Sequence, residues 1–232
     1  MRRVMLKLSG EALAGDDRFG FDFNVVDAIC KQIKKVKSKT IQVAIVPGGG
    51  NFIRGKTLSN IDKYKADEIG MLSTCMNAIY IQGVLKLNGI ESVVFGAFPI
   101  SDMVSLFSKD KAIEAMNEGK VVLLAGGTGH PYFTTDTGVA LRSIELDCTE
   151  LLLAKSVDGV YDKDPMKHKD AKKYKKVSLQ EMVDKKLEVI DLSASVLCLN
   201  NKLNLRLFSM LEKDSIVKAI KGENIGTLVY SK

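Results

Sequence analysis

The chain has 232 residues, of which 46% are hydrophobic and 27% are charged, an ordinary globular composition that suits one large domain or two small ones. No segment approaches the roughly 20 apolar residues that a membrane span needs, and the N-terminus lacks the apolar stretch and cleavage site of a signal peptide. The four cysteines lie far apart among apolar neighbours, without CxxC spacing. Such buried thiols are typical of a reducing compartment, so we predict a cytoplasmic protein with no membrane partner.

The net charge of +6 comes largely from one lysine-rich stretch, residues 163–176, and the other charges nearly balance. A basic stretch of this kind is found in nucleic-acid-binding proteins and, more often, in solvated loops. Tyr174 is its only aromatic residue, which gives little support to base stacking. We therefore predict a solvated loop and no nucleic-acid partner.

Apolar periodicity predicts strands and helices that alternate along the chain. In chain order, the expected elements are a strand over 3–8, a helix capped by Asp22, a strand over 41–46, a helix over 63–87, a strand over 90–96, a helix over 109–119, a strand over 120–127, a helix over 135–147 that starts near Thr135 or Asp136, a strand over 149–155, helices over 178–185 and 191–203, and strands over 205–209 and 226–231.

The predicted strands are continuous apolar runs, which is typical of strands buried on both faces. Strands of this kind alternating with helices predict an α/β protein, a three-layer αβα sandwich around a central, mostly parallel sheet. We find no repeat, no low-complexity linker and no composition boundary, so residues 1–232 are expected to form a single domain.

Several predicted strands end in glycine-rich or polar clusters, including KLSGEA after the first, PGGGN after the second and GGTGHPYFTTD after the fourth. Ligands bind at the carboxyl ends of strands in open α/β sheets. Glycines allow the backbone to approach closely, and successive N–H groups form anion-binding concavities. Three such strand ends together with basic side chains therefore predict phosphate chemistry at one edge of the sheet.

Residues 50–57, GNFIRGKT, also match the P-loop pattern G-x-x-x-x-G-K-S/T. In a true P-loop a helix begins at the Lys-Ser/Thr pair. Here a proline and two further glycines separate the strand from Gly50, and the polar stretch after Thr57 has poor apolar periodicity. No apolar strand ends in a convincing magnesium-binding carboxylate either, so a P-loop is disfavoured.

The motifs MLKLSGEAL, PGGGNFIRG, ADEIGMLSTCMNA, GGTGHPYFTTDTGVALR, VDGVYDKDP and EVIDLSASVL occur in this order along nearly the whole chain. In this it resembles the bacterial UMP kinases of the amino-acid kinase superfamily. The resemblance implies transfer of the γ-phosphoryl group of ATP to UMP, giving UDP and ADP for UTP and CTP synthesis. It further implies Mg²⁺ accompanying ATP, a homohexamer, and glycines 48–50 lying between the two nucleotides.

The resemblance also implies roles for individual residues. Lys7, Arg54, Asp136 and Asp191 correspond to catalytic positions, with the two aspartates orienting Lys7 or magnesium. ATP is expected to contact Lys7, Leu8, Ser9, Gly10, Gly50, Arg54, Lys155, Tyr161 and Asp164. UMP is expected to contact Gly49, Asp67, Thr128, Gly129, His130, Pro131, Tyr132, Phe133, Thr134 and Thr135, with Asp67 on the ribose hydroxyls. No residue is expected to hold a metal directly.

Residues Gly15, Asp16, Asp17, Arg18, Phe19 and Gly20 match a segment that couples GTP binding to activation in some relatives, and they also fit an exposed loop. UTP is the corresponding feedback inhibitor. Simpler structural roles remain open for single residues, since Asp136 and Asp191 are also suited to capping helices.

Three other functions remain open. A relative that phosphorylates an acidic amino acid or carbamate would explain the glycines, but it would not need Asp67. A nucleotide-binding regulator without catalysis would not need Lys7, Arg54 and Asp136. A basic nucleic-acid-binding protein would bind in a strongly salt-dependent way.

Overall fold

The computed structural model describes residues 1–38, 40–53, 60–185, 187, 189–210 and 212–231. Within these residues the strands are β1 (Arg2–Leu8), β2 (Ile41–Pro47), β3 (Ser92–Gly96), β4 (Ser105–Leu106), β5 (Val121–Ala125), β6 (Glu150–Lys155), β7 (Lys176–Ser178), β8 (Asn204–Ser209) and β9 (Thr227–Tyr230). The α-helices are α1 (Gly10–Leu13), α2 (Phe23–Val36), α3 (Lys63–Leu87), α4 (Lys109–Asn117), α5 (Thr135–Glu145), α6 (Leu179–Asp184), α7 (Leu192–Asn200) and α8 (Ser215–Lys221).

The described strands form one nine-stranded sheet in the order β4-β3-β5-β2-β1-β6-β8-β9-β7. Every neighbouring pair is parallel except β8 and β9, which are antiparallel. The centre of the sheet is β1, which pairs with β2 on one side and β6 on the other. This arrangement brings the carboxyl ends of β1, β2, β5 and β6 to one edge.

Two apolar cores cover the two faces of the sheet. In β1, Val4, Leu6 and Leu8 face the core built with α2, α3 and α8. Met5 faces the opposite core, which is built with α4, α5, α6 and α7. Alternate side chains along each strand therefore point into the two different cores. The predicted three-layer sandwich is confirmed.

Most predicted elements are observed, with ends that differ by a few residues. Asp22 caps α2 as expected, since its side chain accepts hydrogen bonds from the N–H groups of Asn24 and Val25. The helix expected to start near Thr135 or Asp136 begins at Thr135, as predicted, and its N-cap is Thr134 rather than Asp136. The elements α1, β4, β7 and α8 were not predicted, and all four have seven or fewer residues.

None of the described helices is both long and apolar enough to span a bilayer. The four cysteines are buried free thiols, as the sequence predicted, and burial raises the pKa of the Cys30 thiol to about 12. The assignment of 1–232 to a single domain stays a prediction.

Candidate active site

Lys7 and Asp136 meet at the carboxyl edge of the sheet. Lys7 lies two positions after Met5 in β1, so the two side chains point to the same face of the sheet. That is the face that α5 covers. Lys7 Nζ lies 2.5 Å from Asp136 Oδ1, and the two side chains are 13% and 16% exposed. A lysine at this depth requires a partner, and the carboxylate at the start of α5 supplies one.

Two threonines and Asp191 hold the first turn of α5 in place. The Thr134 hydroxyl accepts hydrogen bonds from the N–H groups of Asp136 and Thr137. The same hydroxyl donates to Asp191 Oδ2. Thr137 Oγ1 lies 3.0 Å from both carboxylate oxygens of Asp191. Asp191 therefore fixes the end of the helix that carries Asp136.

Asp191 also caps α7, because its Oδ1 accepts a hydrogen bond from the N–H of Ala194 at 2.9 Å. Partial burial pushes the pKa of Asp191 up, but the Thr134 hydroxyl, the Ala194 N–H and the Thr137 hydroxyl outweigh it. The pKa of Asp191 is consequently lowered, and the ionised carboxylate is the stable form. The capping role that the sequence left open is therefore observed, alongside a position close to the predicted catalytic pair.

The loop after β2, Gly48–Asn51, packs directly against the end of β1, and we call it the glycine loop. The N–H of Gly48 donates to the carbonyl of Leu8 at 2.8 Å. A Cβ added to Gly10 would lie 2.5 Å from the Gly50 nitrogen, which is too close for any side chain. Glycine at position 10 is thus required for the exits of β1 and β2 to touch backbone to backbone.

The turn after β5 reaches across to α3. Tyr132 has a φ of 71°, in the left-handed region. Its N–H donates to Asp67 Oδ2 at 2.7 Å, and Lys63 Nζ contacts the same oxygen at 2.9 Å. Partial burial raises the pKa of Asp67, but these two donors outweigh it and lower the pKa overall. Asp67 is thus an ionised acceptor that points at the turn.

A pocket of about 270 Å³ lies between α3, the glycine loop and the turn after β5. Its walls combine the exposed backbone of glycines, the hydroxyls of threonines and the Asp67 carboxylate. Such a lining suits a polar, phosphorylated ligand. The lining residues are Gly49, Gly50, Ile53, Ala66, Asp67, Gly70, Met71, Thr74, Gly127, Thr128, Phe133, Thr134 and Thr135. We call it the acceptor pocket.

A second pocket, of about 420 Å³, lies at the end of β6 and includes Lys155, Tyr161 and Asp164 in its lining. A neighbouring cavity of about 690 Å³ shares Lys155, Leu187 and Val189 with it and extends to Asp136 and Asp191. We call the two together the donor pocket. An elongated ligand bound there would run from Tyr161 past Lys155 to the Lys7–Asp136 pair.

Lys155 lies on the same face of the sheet as Lys7, one strand away. In β6, Leu151, Leu153 and Lys155 point to one face of the sheet. Leu151 and Leu153 belong to the same core as Met5. The Lys155 ammonium donates to the carbonyl of Val189. Burial lowers the pKa of Lys155, with the Asp136 charge opposing that shift and the Lys7 charge adding to it. The edge thus carries two lysines close to one another.

Comparison with known proteins assigns a family to this arrangement. Residues 2–209 match the model of the amino acid kinase family. The chain belongs to this family. It is 44% identical over 231 residues to uridylate kinase PUMPKIN, chloroplastic, of Arabidopsis thaliana. The aligned region covers 98% of this chain and 68% of that protein.

Solved structures of UMP kinases have the same fold. The UMP kinase from Bacillus anthracis matches with a TM-score of 0.95 at 33% identity, over 100% of this chain and 96% of that one. The UMP kinase from Ureaplasma parvum matches with a TM-score of 0.93 at 31% identity, over 99% of both chains. The resemblance to UMP kinases that the motifs indicated is confirmed.

The structure brings most of the predicted acceptor contacts together. Gly49, Asp67, Thr128, Phe133, Thr134 and Thr135 line one pocket. Gly129, His130, Pro131 and Tyr132 belong to the adjoining turn rather than to the lining, and Tyr132 reaches the site through its N–H bond to Asp67. The roles of all these residues remain predictions.

The predicted donor contacts are divided between two places. Lys155, Tyr161 and Asp164 line the donor pocket, and the Tyr161 hydroxyl lies 2.8 Å from Asp158 Oδ1. Lys7, Leu8, Ser9 and Gly10 follow one another at the end of β1, against Gly50. Arg54 lies outside the described residues, as does the Gly55–Ser59 part of the chain that includes the end of the P-loop match. The next described helix, α3, begins only at Lys63.

The sequence did not reveal the α3 wall of the acceptor pocket, nor the Leu187 and Val189 side of the donor pocket. Gly70, Met71 and Thr74 lie three, four and seven positions after Asp67, which is one face of a helix. Helical spacing from Asp67 would have found them. Leu187 and Val189 follow α6 in the chain, and no local pattern marks them.

The segment Gly15–Gly20 contacts the glycine loop. The N–H of Gly20 donates to the Asn51 carbonyl at 3.1 Å, and Asn51 Nδ2 donates to the Gly20 carbonyl at 2.8 Å. Asp16 and Arg18 line a cavity of about 580 Å³ together with Ser9 and Lys155. The segment therefore borders a cavity that also contains Ser9 and Lys155, two of the predicted ATP contacts.

Proposed function

We propose that this protein is a UMP kinase, which transfers the γ-phosphoryl group of ATP to UMP and releases UDP and ADP. UDP is the precursor of UTP and CTP, so the reaction belongs to pyrimidine nucleotide synthesis. One observation carries the proposal. The Lys7–Asp136 pair lies where the donor pocket meets the acceptor pocket, because Asp136 lines the former and its neighbour Thr135 lines the latter.

The chemistry requires charge compensation rather than a general base. The attacking group is a phosphate oxygen of UMP, which is already largely ionised near neutral pH, so no proton has to be removed. Catalysis then consists of in-line positioning and neutralisation of the charge on the transferring group. Lys7 supplies a cation, and Asp136 holds that cation at the junction of the pockets.

Backbone groups supply the remaining stabilisation. The glycine loop presents N–H groups at the boundary of the acceptor pocket. The N-terminus of α5, an 11-residue helix, lies at Thr135 in the same pocket, and the positive end of its dipole favours phosphate. In the proposed mechanism both groups stabilise the transferring phosphoryl group.

Magnesium is proposed to arrive with ATP. Among the described residues, no group of three or more His, Cys, Asp or Glu side chains is arranged to hold a metal. Mg²⁺ in such enzymes is held largely by substrate phosphate oxygens and water. Asp136 and Asp191 line the adjoining cavity, where their carboxylates would orient the ion. When bound, the ion would neutralise part of the phosphate charge.

Nucleoside recognition is proposed to depend on Asp67. Its carboxylate is ionised, partly buried and directed toward the turn that closes the acceptor pocket. Ribose hydroxyls are donors, so they would form charge-assisted hydrogen bonds with it. An acidic amino acid as acceptor would place a negative charge next to this carboxylate, which argues against the amino-acid kinase alternative.

Self-association is proposed to involve α3, consistent with a homohexamer. Ile69, Leu72 and Met76 follow one another at helical spacing and are 37%, 48% and 45% exposed. Ile61 and Tyr64, just before and at the start of α3, extend this apolar surface. A second copy of the chain is the partner we propose for it, because an apolar stripe of this length is otherwise costly in water.

Regulation and location are proposed by analogy with the family. The segment Gly15–Gly20 is the proposed responder to GTP, supported by its two hydrogen bonds to Asn51. UTP is the proposed inhibitor, because it shares the uridine that the acceptor pocket would recognise. The buried free thiols support a reducing, cytoplasmic setting.

A coupled ADP-release assay with UMP, dUMP, CMP, glutamate and carbamate as separate acceptors tests the proposal. We expect turnover with UMP that requires magnesium and exceeds turnover with the amino acid and with carbamate. Turnover with glutamate or carbamate alone would refute the UMP assignment, and absence of turnover with every acceptor would favour a regulator.

A further inference from the structure

Two buried asparagines outside the predicted contact residues form a pair beneath the glycine loop. Asn51 is 1% exposed and Asn77, in the middle of α3, is 0% exposed. Asn51 Nδ2 donates to Asn77 Oδ1 at 2.9 Å, and Asn77 Nδ2 donates to Asn51 Oδ1 at 2.7 Å. The two side-chain amides thus face each other in a reciprocal pair, which we call the amide pair.

Every N–H hydrogen of the amide pair has an acceptor. A primary amide has two N–H donors, and each asparagine uses one within the pair. The remaining donors go to backbone carbonyls, from Asn77 to Gly48 at 2.5 Å and from Asn51 to Gly20 at 2.8 Å. A fully satisfied buried network of this kind specifies one arrangement, since any shift leaves a buried polar group without its partner.

Three segments meet at the amide pair. Asn77 belongs to α3, which supplies one wall of the acceptor pocket. Gly48 and Asn51 are the two ends of the glycine loop, so the pair holds that loop at both ends. Gly20 ends the segment Gly15–Gly20, and its N–H donates back to the Asn51 carbonyl.

The glycine loop has little room to move. A Cβ on Gly49 would lie 2.9 Å from the carbonyl oxygen of Gly70 in α3, and one on Gly10 would lie 2.5 Å from the Gly50 nitrogen. The loop is therefore confined between α3 and the end of β1. Within that gap, the amide pair holds the Gly48 carbonyl at one end of the loop and the Asn51 side chain at the other.

We propose that the Asn51–Asn77 amide pair positions the glycine loop for phosphoryl transfer and links it to the segment Gly15–Gly20. The positioning role rests on the proposed kinase function. A displacement of about 1 Å in a phosphoryl-transfer site can lower the rate by about 100-fold. Loss of the pair should therefore lower kcat without removing any group that touches a nucleotide.

Asn77→Asp is the sharpest variant, because it keeps the shape and replaces the two donors with acceptors. Its carboxylate would face the Gly48 carbonyl and Asn51 Oδ1, both of which are acceptors. We expect kcat to fall by between about 10- and 100-fold, with KM for UMP and for ATP changing less than about threefold. Asn77→Ser, which retains one donor, provides a milder variant if Asn77→Asp does not fold.

Asn88→Asp is the matched control. Asn88 caps the end of the same helix, where its Nδ2 donates to Asp27 at 2.8 Å and to the Val84 carbonyl at 3.0 Å. The aspartate would face Asp27 and lower the stability, far from the glycine loop. We expect its kcat at a temperature well below unfolding to equal that of the parent. If the folded Asn77 variants also kept the parent kcat, the positioning role would be refuted.

Two further measurements distinguish this inference from the function on which it rests. If the asparagines act as a unit, the Asn51→Ala/Asn77→Ala double variant should have a kcat within about threefold of the worse single variant. Hydrogen exchange should become faster at both 15–20 and 48–53 in Asn77→Ser, and unchanged exchange at both would refute the link. A parent that made no UDP would refute the kinase proposal, while the exchange experiment would still decide whether the pair holds the loop.

Discussion

Removal of the Lys7 charge tests the catalytic role proposed for this residue separately from its structural role. Lys7→Met keeps most of the apolar stem and deletes the ammonium that lies 2.5 Å from Asp136. At about 4 Å and an effective dielectric constant of about 20, two unit charges interact by about 4 kcal/mol. Loss of that stabilisation in the transition state corresponds to a decrease of about 1,000-fold in kcat.

The same change also affects stability, because it leaves the Asp136 carboxylate without its cation. Breaking a fully buried pair costs about 3–5 kcal/mol. The Asp136 side chain is 16% exposed, so we expect a somewhat smaller loss, about 2–3 kcal/mol. Denaturant unfolding of Lys7→Met and of the parent measures this loss directly.

The double variant Lys7→Met/Asp136→Asn distinguishes the two effects. Removing both charges should return the unfolding free energy to within about 1 kcal/mol of the parent, because no uncompensated charge remains. The kcat in the coupled ADP-release assay should stay low. Recovery of kcat in the double variant, or a Lys7→Met enzyme within about threefold of the parent, would show that Lys7 does not act on the transferring phosphate.

Three further predictions concern other parts of the molecule. Asp67→Asn should raise KM for UMP by about 10- to 100-fold with little change in kcat, because charge-assisted hydrogen bonds to the ribose are lost. The control Lys63→Met removes only the exposed partner of Asp67 and should have a small effect on KM for UMP. Asp191→Ala should lose about 1–2 kcal/mol of stability at neutral pH. Because the native pKa of Asp191 lies below its unfolded value of about 3.9, this difference should persist above about pH 4 and disappear as the pH falls through the native pKa in acid unfolding experiments. Leu72→Glu should reduce the molar mass measured by light scattering. The control Met166→Glu, at a residue that is 89% exposed and away from α3, should leave the mass unchanged. An unchanged mass for Leu72→Glu would argue against an α3 interface.

The sequence predicted the fold well because its strands are buried on both faces. Continuous apolar runs such as Val121–Ala125 show where such strands lie, and glycines or polar residues show where they end. Short elements were missed: β4 has two residues and β7 has three, too few for either period to be recognised. The antiparallel pairing of β9 with β8 depends on long-range contacts that no local pattern encodes.

The layout of the candidate site was predictable where its residues belong to local motifs. The strand-end motifs pointed to Lys7, the glycine loop and the turn after β5, and the resemblance added Asp67 and Asp136. The partnership of Lys7 with Asp136 spans 129 positions of sequence and became visible only with the sheet order. The amide pair was missed for the same reason, since nothing in the neighbourhood of Asn77 distinguishes it from an ordinary helix residue.

The destination of the transferred phosphoryl group tests the central claim most directly. ATP labelled in its γ-phosphoryl group should be incubated with UMP, magnesium and the purified protein, and the products separated by ion exchange. We predict label in the β-phosphoryl group of UDP, in an amount equal to the ADP formed. Label found only in inorganic phosphate, or no label transferred at all, would contradict a phosphoryl transfer between two nucleotides at the edge of the sheet.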